Sequence, residues 1–343
     1  MKISVIRGVE LTAGHVEAWS AIQTANSALE SPFFRPEFTL ATARERSNTY
    51  VGVMHDSKDV IVGFFPFVLV RPGYGRNLDM CDHQGIITAA PHEYRATEVV
   101  RGCGLKVWEY DHFTAGNPRF EKFHTLTGPS PIMDLAMGYD AYKGSLNPEG
   151  KRHLSKAGTS ARKVERELGL LRLDPDSRDD DVMRAMHQWR AQKYGPLPDW
   201  SHRALETIRN THTSDFSGVL SALYAGDHLL AVHFGIRCRS VLQWWFPAFN
   251  PEFTSYAPGI LLLLRMAECA PDLGIARIDL GKGMQDYKRR FANTSTMVST
   301  GSVDVPSLAN LPRIVQRKCT NYVRRSPALL NLARQVKRIM SGE

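Results

Sequence analysis

The segment Asp279-Leu-Gly-Lys-Gly-Met-Gln-Asp-Tyr-Lys-Arg-Arg-Phe291 puts two carboxylates, a phenol and four cations into thirteen residues. A strand ending at Asp279 leaves a carboxylate at the edge of a sheet, and Gly281 and Gly283 permit a tight turn beyond it. The cations that follow suit an anionic ligand, a phosphate or a carboxylate. Helical spacing over 287–291 sets Tyr287 and Phe291 on one face and Lys288 on another. On residue type, Lys288 and Arg289 are candidates for gripping a ligand, Asp279 for an orienting carboxylate and Asp286 for a general base. Tyr287 either protonates a leaving group or packs beside Phe291.

Three further places carry candidate chemistry. His233 lies in an alternating apolar run, where it serves either as general base toward an amine or hydroxyl or as a hydrogen-bonded packing residue. Trp244, Trp245 and Phe246 alternate along the next run, so one face, with Trp245, can stack on a flat ligand while the other enters the core. Tyr256-Ala-Pro-Gly-Ile260 lies between a strand and a helix. Pro258 fits the first helical position, and Gly259 lets a ligand approach the backbone. The segment is either a plain helix start or a cradle whose unpaired amides, aided by the helix dipole, hold a pyrophosphate. Asp79-Met-Cys-Asp-His83 has metal-capable side chains but lacks a second cluster at ligand spacing, so no metal site is expected.

The elements that must position these residues can be read from periodicity. Runs rich in β-formers at 50–54 and 60–70 flank a hairpin signal, 91–100 reads as helix and 105–110 as strand. Trp19 and Ile22 share one face of an early helix. After Gly150, amphipathic helices are expected over 154–168 and 179–194, with Ser201 as N-cap of a third. Strands over 218–224, 229–236 and 241–249 follow, then an apolar helix over 260–270 and a strand over 276–280. Hairpin strands, a helix and a further strand thus occur once in each half.

The stretch 233–291 resembles the acyltransferase domain of the cellulose-biosynthesis CelD group within the GNAT superfamily. His233-Phe-Gly235 matches its His-Phe-Gly strand, and Trp244-Trp-Phe-Pro-Ala-Phe249 its aromatic strand. Pro258-Gly259 matches its helix start, and Asp279 to Phe291 its Asp-Leu-Gly-x-Gly-x-x-x-Tyr-Lys-x-x-Phe block. More distantly, the block is similar to the Phe-Lys-x-x-Phe region of FemABX peptidyltransferases, which are tandem GNAT folds. The resemblance implies an α+β fold with a mixed sheet. A degenerate GNAT-like domain over 1–145 precedes a GNAT acyltransferase domain over 146–304 and a basic tail over 305–343. It implies acyl-CoA, acetyl-CoA in particular, as co-substrate, bound at Tyr256, Ala257, Gly259 and Ile260, with no permanently bound cofactor. His233, Asp286 and Tyr287 then carry catalysis, while Trp245, Asp279, Lys288 and Arg289 bind the acceptor. The implied reaction is N- or O-acylation of a sugar or of a cell-envelope or exopolysaccharide precursor. Two other functions stay open: aminoacyl transfer from charged tRNA, as in FemABX proteins, and a non-catalytic accessory role in a polysaccharide synthase.

Composition narrows the setting. A chain of 343 residues with 43% apolar residues suits two packed domains. Its five cysteines are odd in number and widely spaced, which fits reduced thiols in the cytoplasm rather than a disulfide framework. The N-terminus lacks the apolar run of a signal peptide, and no stretch is long enough to span a membrane. Of the net charge of +8, the tail from Val305 supplies +7, so a nucleic-acid partner is not expected of the nearly neutral remainder. The pattern over 311–340, basic and amphipathic, either packs on the domain or touches an anionic inner-membrane surface.

Overall fold

The computed structural model describes residues 1–89, 94–307, 310–313 and 315. The first half contains β1 (Lys2–Arg7), α1 (Ala13–Thr24), α2 (Pro36–Glu45), β2 (Thr49–His55), β3 (Ile61–Arg71), β4 (Tyr74–Arg76) and β5 (Ile87–Thr88). It continues with α3 (Ala96–Gly102), β6 (Val107–Thr114), β7 (His124–Asp134) and α4 (Tyr139–Ser145). The second half begins with α5 (Pro148–Leu168), β8 (Leu171–Asp174), α6 (Asp180–Tyr194) and α7 (Asp199–Arg209). Then come β9 (Phe216–Ala225), β10 (His228–Cys238), β11 (Val241–Phe249), α8 (Pro258–Cys269), β12 (Arg277–Asp279), α9 (Asp286–Phe291) and β13 (Thr294–Asp304).

The class is α+β, as expected, and the described strands join one mixed sheet in the order β1-β2-β3-β4-β6-β13-β7-β12-β11-β10-β9-β8, with β5 on β3. The likeness of the halves extends to their pairing. In the first, α3 lies between β4 and β6, which pair in parallel; in the second, α8 lies between β11 and β12, which do the same. Two strands stitch the halves together. β13 comes from the end of the second half yet pairs with β6 and β7, and the end of β7 pairs with β12.

The helix ends follow local chemistry. Asn147 accepts from the Gly150 amide to cap α5, with Pro148 in its first turn. Asp179 caps α6 by accepting from the Asp181 amide, and acids occupy the first turn. α7 starts at Asp199 with Pro198 ahead of it, earlier than a Ser201 cap would place it. The Ser201 hydroxyl instead donates back to the Pro198 carbonyl within that first turn.

Two layers flank the second half of the sheet. Leu262, Leu263 and Met266 of α8 pack on Leu223, Ala231, Leu242 and Trp244. Each fully buried side chain of this size contributes about 1.5–3 kcal/mol. On the other side, Val182, Met183 and Met186 of α6 pack on Leu220, Val232 and Phe234. Phe33, Phe38 and Leu78 from the first half enter this second layer, so the halves share a core. Among the described residues no helix is long and apolar enough to cross a membrane. The basic pattern of 311–340 lies almost wholly outside the described residues.

Candidate active site

β11 and β12 pair only where Val241, Leu242 and Gln243 face Arg277, Ile278 and Asp279. Beyond that point β11 continues to Phe249, while the chain after Asp279 turns toward β7. There the Leu280 amide donates to the Pro131 carbonyl at 2.9 Å and the Gly283 amide to the Pro129 carbonyl at 3.3 Å. The strands therefore part, leaving a wedge in the sheet whose crotch is Gln243 and Asp279.

At the crotch β11 carries a bulge, because the register with β10 shifts between Phe234 and Ile236. Gly235 has to be glycine here: a Cβ would stand 2.3 Å from the Gln243 carbonyl oxygen and 2.6 Å from His233 Cε1. The Trp245 amide, turned by the bulge, donates to His233 Nε2 at 3.3 Å. His233 is completely enclosed and lies flat on Trp244, with ring centroids 3.7 Å apart and planes 8° from parallel. Burial pushes its imidazole down to about 3, so the ring is neutral near neutral pH.

At the open end of the wedge, Ala257 takes a left-handed conformation, φ 53°, and Pro258 begins α8. The Gly259 amide lies in a first turn that the helix itself cannot satisfy. Helix α5 braces this start. Ser160 donates to the Tyr256 carbonyl at 2.7 Å, the Tyr256 hydroxyl donates to Glu167 at 2.8 Å, and Lys163 Nζ lies 5.0 Å over the Tyr256 ring. α5 bears Lys151, Arg152, Lys156, Arg162, Lys163 and Arg166 against Glu149, Glu165 and Glu167.

Asp279 is buried. Its Oδ1 accepts from Ser130 at 2.9 Å and from the Gly281 amide at 2.8 Å, and its Oδ2 is 3.4 Å from His83 Nε2. It bolts β12 to β7 and caps its own turn. Lys288 is buried too, and its ammonium donates to the carbonyls of Gly281 and Lys282 at 3.0 and 3.1 Å. Burial pulls its pKa down, while the carboxylates of Asp82 and Asp279 hold it up. Asp82, which sequence reasoning left without a role, accepts from Gln243 Nε2 at 3.2 Å. Its carboxyl therefore sits at the crotch. Burial raises its pKa above the ordinary carboxylate range, against the opposing pull of His112, His83 and Lys288.

Asp82 lines a cleft of about 380 Å³ with Asp111, His112, Arg190, Trp245 and Phe246. Trp245 is held edge-on by Phe33 and Phe38, at 5.3 and 5.9 Å, and lies 4.5 Å from Phe246. Arg190 covers the Phe246 ring, and His112 Nδ1 is 2.7 Å from Asp111 Oδ1. Tyr287 is partly buried, and its phenol is pushed well up by burial, with Tyr194 and Asp82 adding to the effect. Asp286 is exposed and pairs with Arg290 and Arg289 at 3.3 and 3.7 Å, and both arginines also reach Glu149.

Of the residues singled out in the sequence, Trp245, Asp279 and Lys288 come together around the crotch. Tyr256, Ala257, Gly259 and Ile260 form the open end of the wedge. His233 lies in the sheet beside Trp244, whose ring belongs to the core beneath α8. Asp286 and Arg289 point into a surface ion-pair network. Asp82, Gln243, Asp111 and His112 were missed. The signal for Asp82 was the run 79–83, whose side chains were read for metal chemistry alone.

Residues 151–289 match the family model of the acetyltransferase (GNAT) domain. No curated protein sequence matches the chain. The fold is similar to that of FemX, with a TM-score of 0.58 at 9% identity over 92% of this chain and 100% of that one. It is similar to L-PGS from Bacillus licheniformis, with a TM-score of 0.54 at 10% identity over 91% and 98% of the two chains. A fungal GH3 β-N-acetylglucosaminidase with a GCN5-related glucosamine N-acetyltransferase region gives a TM-score of 0.50 at 10% identity, covering 88% of this chain and 38% of that one. At such identities these likenesses concern the fold.

Proposed function

We propose that this chain, a GNAT-type acyltransferase by its domain over 151–289, moves an acyl group from acyl-CoA to an amine or hydroxyl of a carbohydrate-like acceptor. The observation that carries the reading is the wedge between β11 and β12, which has a helix start at its open end and a carboxyl of raised pKa at its crotch. The pantetheine arm occupies the wedge. The pyrophosphate lies at Tyr256, Ala257, Gly259 and Ile260, where a left-handed turn, a first-turn amide and the cations of α5 favour anions. The acceptor occupies the cleft, where flat aromatic faces beside carboxylates suit a ring rich in hydroxyls. The cell-envelope or exopolysaccharide precursor implied by the sequence resemblance is an acceptor of this kind.

In the reaction, Asp82 takes the proton of the acceptor N–H or O–H, and the freed electron pair attacks the thioester carbonyl carbon. The C–S bond breaks, sulfur leaves as thiolate, and the proton stays on Asp82 until solvent removes it. Tyr287, held protonated by its raised pKa, hydrogen-bonds the leaving thiolate. Asp82 is the better base than His233, which is enclosed and neutral, or Asp286, which is exposed and tied to arginines. Asp279 and Lys288 fix the turn that faces the substrates, and Arg289 stands at the rim.

One observation favours a second donor. Helix α5 presents six cations against three acids beside the wedge, a surface that also suits the phosphates of a charged tRNA. Thermal-shift and product-forming assays with acetyl-CoA, longer acyl-CoAs and charged tRNA separate the two. Acyl-CoA at a hundred times its Kd should stabilise the protein by about 2.7 kcal/mol. A response to charged tRNA alone assigns the second donor, and silence toward every donor overturns catalysis in favour of an accessory role.

A further inference from the structure

A cavity of about 620 Å³ lies just inside the point where β11 and β12 part, lined from the sheet by Val241, Arg277 and Asp279. Val241, Arg277 and Asp279 all belong to the short pairing of β11 with β12, so the cavity borders the crotch of the wedge. His83 lines it, whereas the neighbouring Asp82 lines the acceptor cleft, so this dipeptide is the wall between the two spaces. Phe34, Ile132, Val241 and Met297 give it apolar walls. Most polar groups on its border are already engaged: Asp279 by Ser130 and Gly281, Arg277 by Glu30, and Thr127 by Ser299. A second cavity, of about 300 Å³, shares Ala28, Thr114 and Gly116 with it and adds Leu29, Ile86 and Phe113. The space is within the range of small-molecule sites and far larger than a two-carbon acetyl group fills.

We propose that this cavity receives the acyl chain of the donor, and that the chain transferred is a medium or long aliphatic one rather than acetyl. The inference rests on the acyl-CoA reading above. With the thioester at the crotch, the acceptor approaches from the Asp82 side and the hydrocarbon runs past His83 over Val241. Chain length is then selected by apolar burial, each added methylene strengthening binding about fourfold until the cavity is full.

The test is a binding and kinetic series of acyl-CoAs from two to sixteen carbons on the wild-type chain, on Ala115→Phe and on Thr296→Phe. Ala115, in the turn after β6, and Thr296, on β13, both line the cavity, and neither belongs to the catalytic machinery. The expected result is affinity that climbs with chain length in the wild type and a flat series in both variants, with acetyl-CoA affinity unchanged. That unchanged affinity also reports that the variants are folded, and two positions guard against either one failing to fold. If acetyl-CoA binds but chain length has no effect, or the variants keep the wild-type series, the cavity assignment is overturned and the donor reading survives. If no CoA thioester binds, both fall.

Discussion

The backbone amide of Trp245 donates to the Nε2 atom of His233 at 3.3 Å, across the bulge that separates the wedge from the paired part of the sheet. The histidine that sequence alone offers as a base is thus the acceptor for a backbone group that the bulge turns out of the ladder. That use requires an unprotonated Nε2, and enclosure supplies it by holding the imidazole at about 3.

His233→Ala should therefore cost stability. It leaves the Trp245 amide unpaired and a void beside Trp244, together about 2–5 kcal/mol by denaturant midpoint. His233→Gln retains an acceptor and should cost less. The pH dependence has a definite sign. The unfolded histidine titrates near 6.5 and the folded one near 3, so the unfolded state binds more protons between those values. Stability is full above the unfolded pKa and falls as pH drops below it, by about 2 kcal/mol at pH 5 from this residue. His187, pushed down to about 4, adds to the same trend in both proteins. Wild-type and His233→Gln chains that lose stability in parallel from pH 7 to 5 would refute the assignment.

Asp82→Asn separates chemistry from architecture. As the base, Asp82 should be worth about 10²–10⁴ in kcat. Its pKa is raised in the fold, so its contribution to stability is fullest below the unfolded value and is lost as pH rises through the folded one. At neutral pH the amide should leave the melting temperature unchanged or higher. The wild-type kcat/KM should rise with pH through an apparent pKa above the ordinary carboxylate range. A variant that is both active and less stable makes Asp82 a structural residue.

Much of this arrangement was legible in the sequence because it is local. The β9–β11 meander, α8 and the strand ending at Asp279 announce themselves by alternation, by Pro258 and by the glycines after Leu280. β7 was not legible: Pro129 and Pro131 argue against a central strand. It survives because the carbonyls of those prolines accept from Leu280 and Gly283, a pairing that needs no proline N–H. β13 follows α9 in sequence but pairs far back, with β6 and β7, and periodicity carries no information about partners. The same limit hid Asp82, which lies 161 residues from the Gln243 that orients it. Lys288 was visible as a cation, yet a one-residue reading cannot tell a cation that faces a ligand from one that is folded against its own turn.

Lys288→Gln tests that inward role. The ammonium lowers the Asp82 pKa and donates to two carbonyls, and glutamine keeps a donor while dropping the charge. Breaking a buried charge arrangement on one side costs about 3–5 kcal/mol, and the retained donor should hold the loss near the lower end. The informative readout is the pH profile: without the ammonium, Asp82 is protonated to higher pH, so the acidic limb of kcat/KM moves upward. A lysine that merely grips the acceptor would raise KM and leave the limb where it was.

Trp245→Leu addresses the acceptor cleft. The indole stands edge-on to Phe33 and Phe38 and beside Phe246, which fixes one flat face toward the space that Asp82 and Asp111 border. Leucine preserves apolar volume toward the two phenylalanines but removes that face. If a sugar ring stacks there, acceptor KM should rise about two- to tenfold, the worth of an aromatic contact beyond its area. Donor KM should hold if the donor takes the proposed place at the start of α8, at the other end of the wedge. Steady-state kinetics with each substrate varied in turn makes the separation. A rise in donor KM with no change for the acceptor would move the acceptor out of this cleft and give Trp245 to the pantetheine arm.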